Sequence, residues 1–379
     1  MIGVDKALEE ILITGLRNKI SKLESNGHNY DKIPVISLKI TNECSLKCLH
    51  CSSDSGLPLH NELTLGEIQN LIDELAKIGV KRITLSGGEP TIRKDFWEIL
   101  RYLDDASIQV SLFTNGFLLN RNFVRRLSDF GVSGVRISVD GGVAKTHDEI
   151  RGVKGSFSKA MKAVKLCRES ELMALIVSVI MKNNIPEIRK IIQLAEKNRV
   201  PAYFRRFHPV GRGLKNIGLM PSSEELKSVT SIITAYYGEE LIGEMIKYLE
   251  LVGGWCYIGD RMCIEPDGNV ALCPSLPLII GNIRESSINE VWRRIKNSEL
   301  CSTIRKRNIA GKCGSCPHLR ICGGGCRADA YGLTGDILSE DPLCWNHPSE
   351  ASLPILNALI MASAAFYEAS YVDLKRGWH

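Results

Sequence analysis

The sequence lacks an export signal, a membrane span and any strong charge of one sign. Its N-terminus, MIGVDKALEE, has no basic segment leading into an apolar one. No stretch reaches the ~18–20 apolar residues that a bilayer requires. Against 48 Lys and Arg stand 43 Asp and Glu, a net charge of +5 over 379 residues. That balance gives no warrant for nucleic acid as a partner. No internal repeat or low-complexity tract stands out. Hydrophobic residues at 44% and charged residues at 24% are ordinary globular usage and exclude wholesale disorder. The expectation is a cytoplasmic protein with no membrane span.

What is abundant is cysteine, with 13 residues. Three fall within 44–51, nine within 256–344, and only Cys167 lies between. The total is odd, and a secreted disulfide scaffold would be shorter and would carry an export signal. Clustered thiolates that bind metal in a reducing compartment explain the distribution better.

Periodicity places an amphipathic helix over 5–26, where Leu8, Leu12, Leu16, Ile20 and Leu23 recur. Strands are expected over 35–41, 81–86, 108–114, 134–139, 173–180 and 201–207. Helices are expected over 64–78, 95–104, 120–130, 156–170, 187–198 and 222–237, the first opened by a Thr64–Glu67 capping box. Six strand–helix units imply parallel pairing through right-handed crossovers. Six is two short of a closed eight-fold barrel. The fold class is therefore α/β, an open partial (β/α)6 TIM-like barrel with its chemistry at the C-terminal strand ends. After residue 250 Gly, Pro and Cys dominate, so a small loop-rich domain held by metal is expected. The resulting domains are a helix and linker over 1–34, a barrel over 35–240, a cysteine-rich unit over 250–348, and a helical tail over 349–379, helical at 350–370.

Cys44, Cys48 and Cys51 form C-x3-C-x2-C directly after the first strand. Three thiolates this close can hold three corners of a cubane cluster and leave the fourth iron open, as catalysis needs. A zinc site completed by His50 or a distant ligand is the alternative. The spacing resembles the radical S-adenosylmethionine (radical SAM) superfamily. Ser86-Gly87-Gly88-Glu89-Pro90 resembles that family's GGEP segment, which implies contact with the methionine amino group, Glu89 accepting from the ammonium. Thr114-Asn115-Gly116 and Ser138-Val139-Asp140-Gly141, with Arg151 following, stand where the family approaches the ribose and carboxylate of SAM. The resemblance covers roughly 35–210.

The later cysteines run Cys256-x6-Cys263, Gly268-x4-Cys273, Cys313-x2-Cys316-x5-Cys322-x3-Cys326 and Cys344. This resembles the SPASM extension with two auxiliary [4Fe-4S] clusters. The resemblance implies Cys256, Cys263, Cys273 and Cys326 for one cluster, and Cys313, Cys316, Cys322 and Cys344 for the other. Cys167 and Cys301 are left as buried thiols. A four-cysteine zinc knuckle over 313–326 is the competing reading.

The resemblance implies three [4Fe-4S] clusters, a low-potential donor of the flavodoxin or ferredoxin type, and reductive cleavage of SAM to a hydrogen-abstracting radical. For substrate, Arg205, Arg206, His208 and Arg212 follow the sixth strand and suit carboxylates. A peptide or protein side chain is the first expectation, and the propionates of a haem precursor the second. Only 34 residues precede the first strand, too few for a leader-binding domain, so a peptide substrate would call for a separate recognition protein. A non-catalytic iron–sulfur carrier or zinc-binding module is the alternative of another class.

Overall fold

The structure is a computed structural model that describes residues 35–238 and 258–344, together with Thr14, Arg17, Ser21, Glu240, Leu241 and Cys256. The helices expected over 5–26 and 350–370 lie outside the described residues, apart from Thr14, Arg17 and Ser21, which are helical.

The six expected strands are present: β1 (Val35–Lys39), β2 (Arg82–Ser86), β3 (Gln109–Thr114), β4 (Gly134–Ser138), β5 (Ala174–Ile180) and β6 (Ala202–Arg206). Each pairs in parallel with its sequence neighbour. Helices α1 (Leu65–Lys77), α2 (Phe96–Asp105) and α3 (Arg121–Asp129) make the first three crossovers. A short α4 (Ala144–Arg151) and α5 (Ser156–Glu169) share the next, and α6 (Ile188–Lys197) makes the fifth. The Thr64–Glu67 box opens α1, whose Ile68, Leu71, Ile72 and Leu75 face inward. The sequence missed α4, a polar AKTHDEIR turn that buries only His147, Ile150 and Arg151.

Strand periodicity then divides core from site. Ile36 and Leu38, Ile83 and Leu85, Val135 and Ile137 join the hydrophobic core. Their alternates Ser37 and Lys39, Thr84 and Ser86, Arg136 and Ser138 line a cavity on the other face. A period of two is what separates them.

The cysteine-rich half differs from the loops expected there. β7 (Arg261–Ile264), β8 (Asn269–Cys273) and β9 (Leu276–Asn282) extend the sheet into the order β6-β5-β4-β3-β2-β1-β7-β8-β9. β7 runs parallel to β1 and opposes Cys263 to Ser37, whereas β8 and β9 are antiparallel. The hairpin turns at Asp267-Gly268, with Gly268 at φ +85°. The two strands it joins span only four and five residues, so they carry little periodicity of their own. Short helices α7 (Arg212–Lys215) and, in the cysteine-rich half, α9 (Ile288–Asn297) to α12 (Arg327–Thr334) complete the described chain, with α8 (Ser223–Tyr237) between them.

Candidate functional site

Cys44, Cys48 and Cys51 lie in the loop that leaves β1, and neighbouring segments hold that loop as a frame. Arg212 donates to the carbonyls of Cys48 and Ser55 at 3.1 and 2.6 Å, and its amide donates to Cys51 O at 2.9 Å. Asp54 holds the same guanidinium at 2.9 Å. On the other side the amides of Lys47 and Leu49 donate to Arg151 and Ile150 carbonyls. Each sulfur also faces a donor: Leu46 N to Cys44 Sγ at 3.5 Å, Arg151 to Cys48 Sγ at 3.6 Å, and Ser55 N to Cys51 Sγ at 3.3 Å. Burial pushes the Cys44 thiol up to about 12 and raises that of Cys48. Buried or half-buried sulfurs that each face a donor suit thiolates neutralised by metal, since a cation deprotonates the thiols it binds.

The SGGEP segment is fitted to this loop. A Cβ on Gly87 would stand 2.5 Å from Thr41 O, and one on Gly88 would stand 2.3 Å from Glu43 O. The glycines therefore admit the chain's own backbone, with Gly88 N donating to Thr41 O at 2.7 Å. Glu89 also differs from expectation. Its carboxylate accepts from Thr91 Oγ1 at 2.6 Å, Thr91 N at 3.2 Å, Thr114 Oγ1 at 2.8 Å and Asn115 N at 2.7 Å. It ties the end of β2 to the end of β3 rather than facing the cavity. Burial raises its pKa against those four bonds. Glu89→Gln replaces one acceptor with a donor, so it should destabilise the fold by about 1–2 kcal/mol in urea unfolding. No loss of stability would contradict this role.

Asp140 is a buried hub rather than a wall residue. It holds Arg151 at 2.6 Å and His50 at 3.4 Å, and it accepts from Val179 N at 2.8 Å. Burial would raise its pKa, but Arg151 overrides this and leaves it below the usual range. Arg151 is thereby aimed at Cys48. Behind it, His147 Nδ1 accepts from Asp140 N at 3.1 Å, and burial lowers the His147 pKa to about 4. Only the neutral ring can accept there. Unfolded histidine takes its proton near pH 6.5, so stability is complete above that pH and falls until about pH 4. The loss should amount to roughly 3 kcal/mol. Urea midpoints read across this range should show a steeper pH slope for the natural chain than for His147→Gln, and equal slopes would refute it.

The cavity, of about 240 Å³, opens between this loop and the polar face of the sheet. Gly87, Gly88, Asn115, Ser138 and Arg151 line it, and Asn115 Nδ2 is buried with no protein partner. Of the four residues expected to meet substrate, Arg205 and His208 line its wall free of any framing role in the cysteine loop. Arg206 is committed elsewhere: it grips Asp341 at 2.6 and 2.8 Å and Asp329 at 2.9 Å. Arg212 frames the cysteine loop as described. The sequence missed Lys39, Arg136 and Arg261, all lining residues. Their signal was a cation inside an apolar strand.

A second space of about 90 Å³ adjoins the first and shares Tyr203, Arg205, His208 and Arg261 with it. Cys256, Cys273 and Cys326 line it. Cys263 is buried in β7, 3.4 Å from Glu265, and Cys273 lies close enough to influence its charge. Cys322 is pushed up to about 12 by burial, with Asp341, Cys344 and Cys313 close by. Cys316 N donates to Cys313 O at 3.1 Å. Cys167 and Cys301 sit in the hydrophobic core.

A parallel barrel sheet whose first strand feeds one buried and two half-buried cysteines, above a cation-lined cavity, is the setting of a metal-cluster enzyme. Residues 38–195 match the profile of the radical SAM superfamily, and residues 256–317 match that of the SPASM iron–sulfur cluster-binding domain. The chain is 35% identical over 345 residues to the AdoMet-dependent heme synthase of Methanosarcina barkeri, covering 83% of this chain and 97% of that one. It is 31% identical over 337 residues to the mycofactocin maturase of Mycobacterium ulcerans, covering 85% and 90%. The crystal structure of Streptococcus suis SuiB bound to precursor peptide SuiA shares the fold, with TM-score 0.68, 19% identity and coverage of 87% and 80%. The chain belongs to the radical SAM superfamily and carries a SPASM domain. Among the described residues no helix is long and apolar enough to cross a membrane.

Proposed function

We propose that the chain cleaves S-adenosylmethionine reductively and oxidises a substrate bearing several carboxylates, the propionates of an iron tetrapyrrole fitting best. One observation carries this reading: Lys39, Arg136, Arg151, Arg205 and Arg261 line the main cavity, and among the described residues no aspartate or glutamate does. A cavity so lined concentrates anions, and guanidinium groups grip carboxylates in pairs of hydrogen bonds. The 35% identity to a heme synthase over nearly its whole length supports the same choice.

In this reading the barrel over 35–240 and the cysteine-rich unit over 250–348 are the working parts. Cys44, Cys48 and Cys51 hold the catalytic [4Fe-4S] cluster. Gly87, Gly88, Asn115, Ser138 and Arg151 flank the SAM space, where the open Asn115 Nδ2 has a donor to give. Asp140 orients Arg151, and Glu89 fixes the strand ends behind. Cys256, Cys263, Cys273 and Cys326 hold one auxiliary cluster, and Cys313, Cys316, Cys322 and Cys344 the other. When bound, cluster and SAM supply an electron and a hydrogen-abstracting radical. Arg205 holds the substrate carboxylate so that the carbon β to it meets that radical. Loss of that hydrogen, of CO2 and of one electron turns a propionate into a vinyl group. The electron has an outlet at the wall of Cys256, Cys273 and Cys326. A donor of the flavodoxin or ferredoxin type, in a reducing compartment such as the cytoplasm, would restart the cycle.

The test is anaerobic incubation of reconstituted protein with SAM, dithionite and an iron porphyrin carrying propionates. Mass spectrometry should show loss of CO2 plus two hydrogens per propionate. An unchanged porphyrin alongside 5′-deoxyadenosine release would sink this substrate. The 31% identity to a maturase over 85% of the chain favours a second reading, modification of a peptide or protein side chain aided by a separate recognition protein. Arg205→Ala should lower kcat/KM for the carboxylate substrate roughly 10–100-fold, the worth of one charge-assisted hydrogen bond. An unaffected kcat/KM would remove Arg205 from the site. Three clusters require about twelve iron per chain, and metal analysis finding zinc with little iron would overturn the assignment.

A further inference from the structure

We infer that His208 sets the redox poise of the auxiliary cluster at Cys326, as a positioning residue between that cluster and the substrate cavity. The inference rests on the cluster proposed above at Cys256, Cys263, Cys273 and Cys326. His208 lies two residues beyond β6 and lines both cavities. Its Nδ1 stands 2.7 Å from Asp329 Oδ1 and 3.8 Å from Cys326 Sγ. A carboxylate at that distance demands a donor, so the hydrogen resides on Nδ1, shared between the carboxylate and the sulfur.

The donor is locked in place from behind. Asp329 binds Arg206 at 2.9 Å, Arg206 binds Asp341 at 2.6 and 2.8 Å, and Asp341 accepts from Cys326 N at 2.9 Å. Five residues thus form a ring that returns to the cysteine it started from, all buried. Arg206, Asp329 and Asp341 alone would tie β6 to the cysteine-rich half. His208 adds something else to the ring, a hydrogen bond to a cluster ligand from a side chain that also borders the substrate. The His208, Cys326 and Asp329 ligand atoms lie within 4.8 Å of one another. With the sulfur given to iron, the imidazole is left as donor. Hydrogen bonds to cluster sulfurs favour the reduced, more negative state and raise its potential.

The experiment uses the full chain, reconstituted anaerobically without SAM or substrate and titrated reductively under electron paramagnetic resonance. The relevant signal is the one lost in Cys256→Ala. His208→Phe keeps a ring and removes the donor, so its midpoint potential should be more negative than that of the natural chain. His208→Gln keeps an N–H and should fall between the two. An unshifted His208→Phe at equal iron content overturns the inference, as do equal shifts in both variants. Where His208→Phe loses the signal, the unsubstituted protein labelled with 15N-histidine decides. Its reduced cluster should show hyperfine coupling to a histidine nitrogen, and absence of coupling overturns the inference. Absence of any Cys256-dependent signal would instead overturn the cluster assignment itself.

Discussion

Replacing Cys44, Cys48 or Cys51 with alanine is expected to lower 5′-deoxyadenosine release by at least about a thousandfold, a loss of ~4 kcal/mol or more of barrier lowering. Each sulfur occupies one corner of the proposed site. The His50 ring beside them is committed to Asp140 at 3.4 Å, and burial keeps it neutral by lowering its pKa to about 4. The frame should survive the substitution, because Arg212 and the 150–151 carbonyls hold backbone atoms rather than sulfurs. Iron should fall by roughly four atoms per chain while the auxiliary iron remains. That pattern separates loss of one cluster from general misfolding. Release within tenfold of the natural chain would show that these cysteines do not bear the catalytic cluster.

Much of this architecture was legible in the sequence, for identifiable reasons. The six parallel strands each carry apolar residues bounded by turn residues, and helices such as α1 carry both a stripe and a cap. Residues missed were those whose local signal contradicts their place. Lys39 and Arg136 sit inside expected strands, yet they meet a ligand space because the inner face of this sheet is a polar cavity and not a second core. β7 escaped because four residues, RMCI, show no period, and its pairing with β1 is a contact across more than 200 positions. Glu89 and Asp140 were placed correctly along the chain but face inward. Composition names a carboxylate, and only packing decides whether it meets a ligand or braces a neighbour. Arg206 illustrates the same limit, since Arg205 and Arg206 are adjacent and therefore point to opposite faces of β6.

That alternation predicts opposite consequences for two neighbouring arginines, and Arg206 should show the larger effect on stability. Its side chain is fully buried and satisfies Asp341 through two bonds and Asp329 through a third contact. Burial would raise the Asp341 pKa, and the Arg206 guanidinium overrides this and holds it below the usual carboxylate range. Arg206→Met removes the cation that pairs with both carboxylates and strands their negative charge in a buried site. The expected cost is about 3–5 kcal/mol in urea unfolding, the usual penalty for breaking one side of a buried pair. Arg205→Ala, by contrast, should change stability by less than about 1 kcal/mol while impairing substrate use, because its side chain lines the cavity. A double variant, Arg206→Met with Asp341→Leu, should recover part of the loss by removing one of the stranded charges. Asp341 also accepts from the amides of Cys326 and Leu343, so recovery should stop short of the natural chain. Equal stability losses for Arg205→Ala and Arg206→Met would mean that the two side chains do not divide their work between cavity and core.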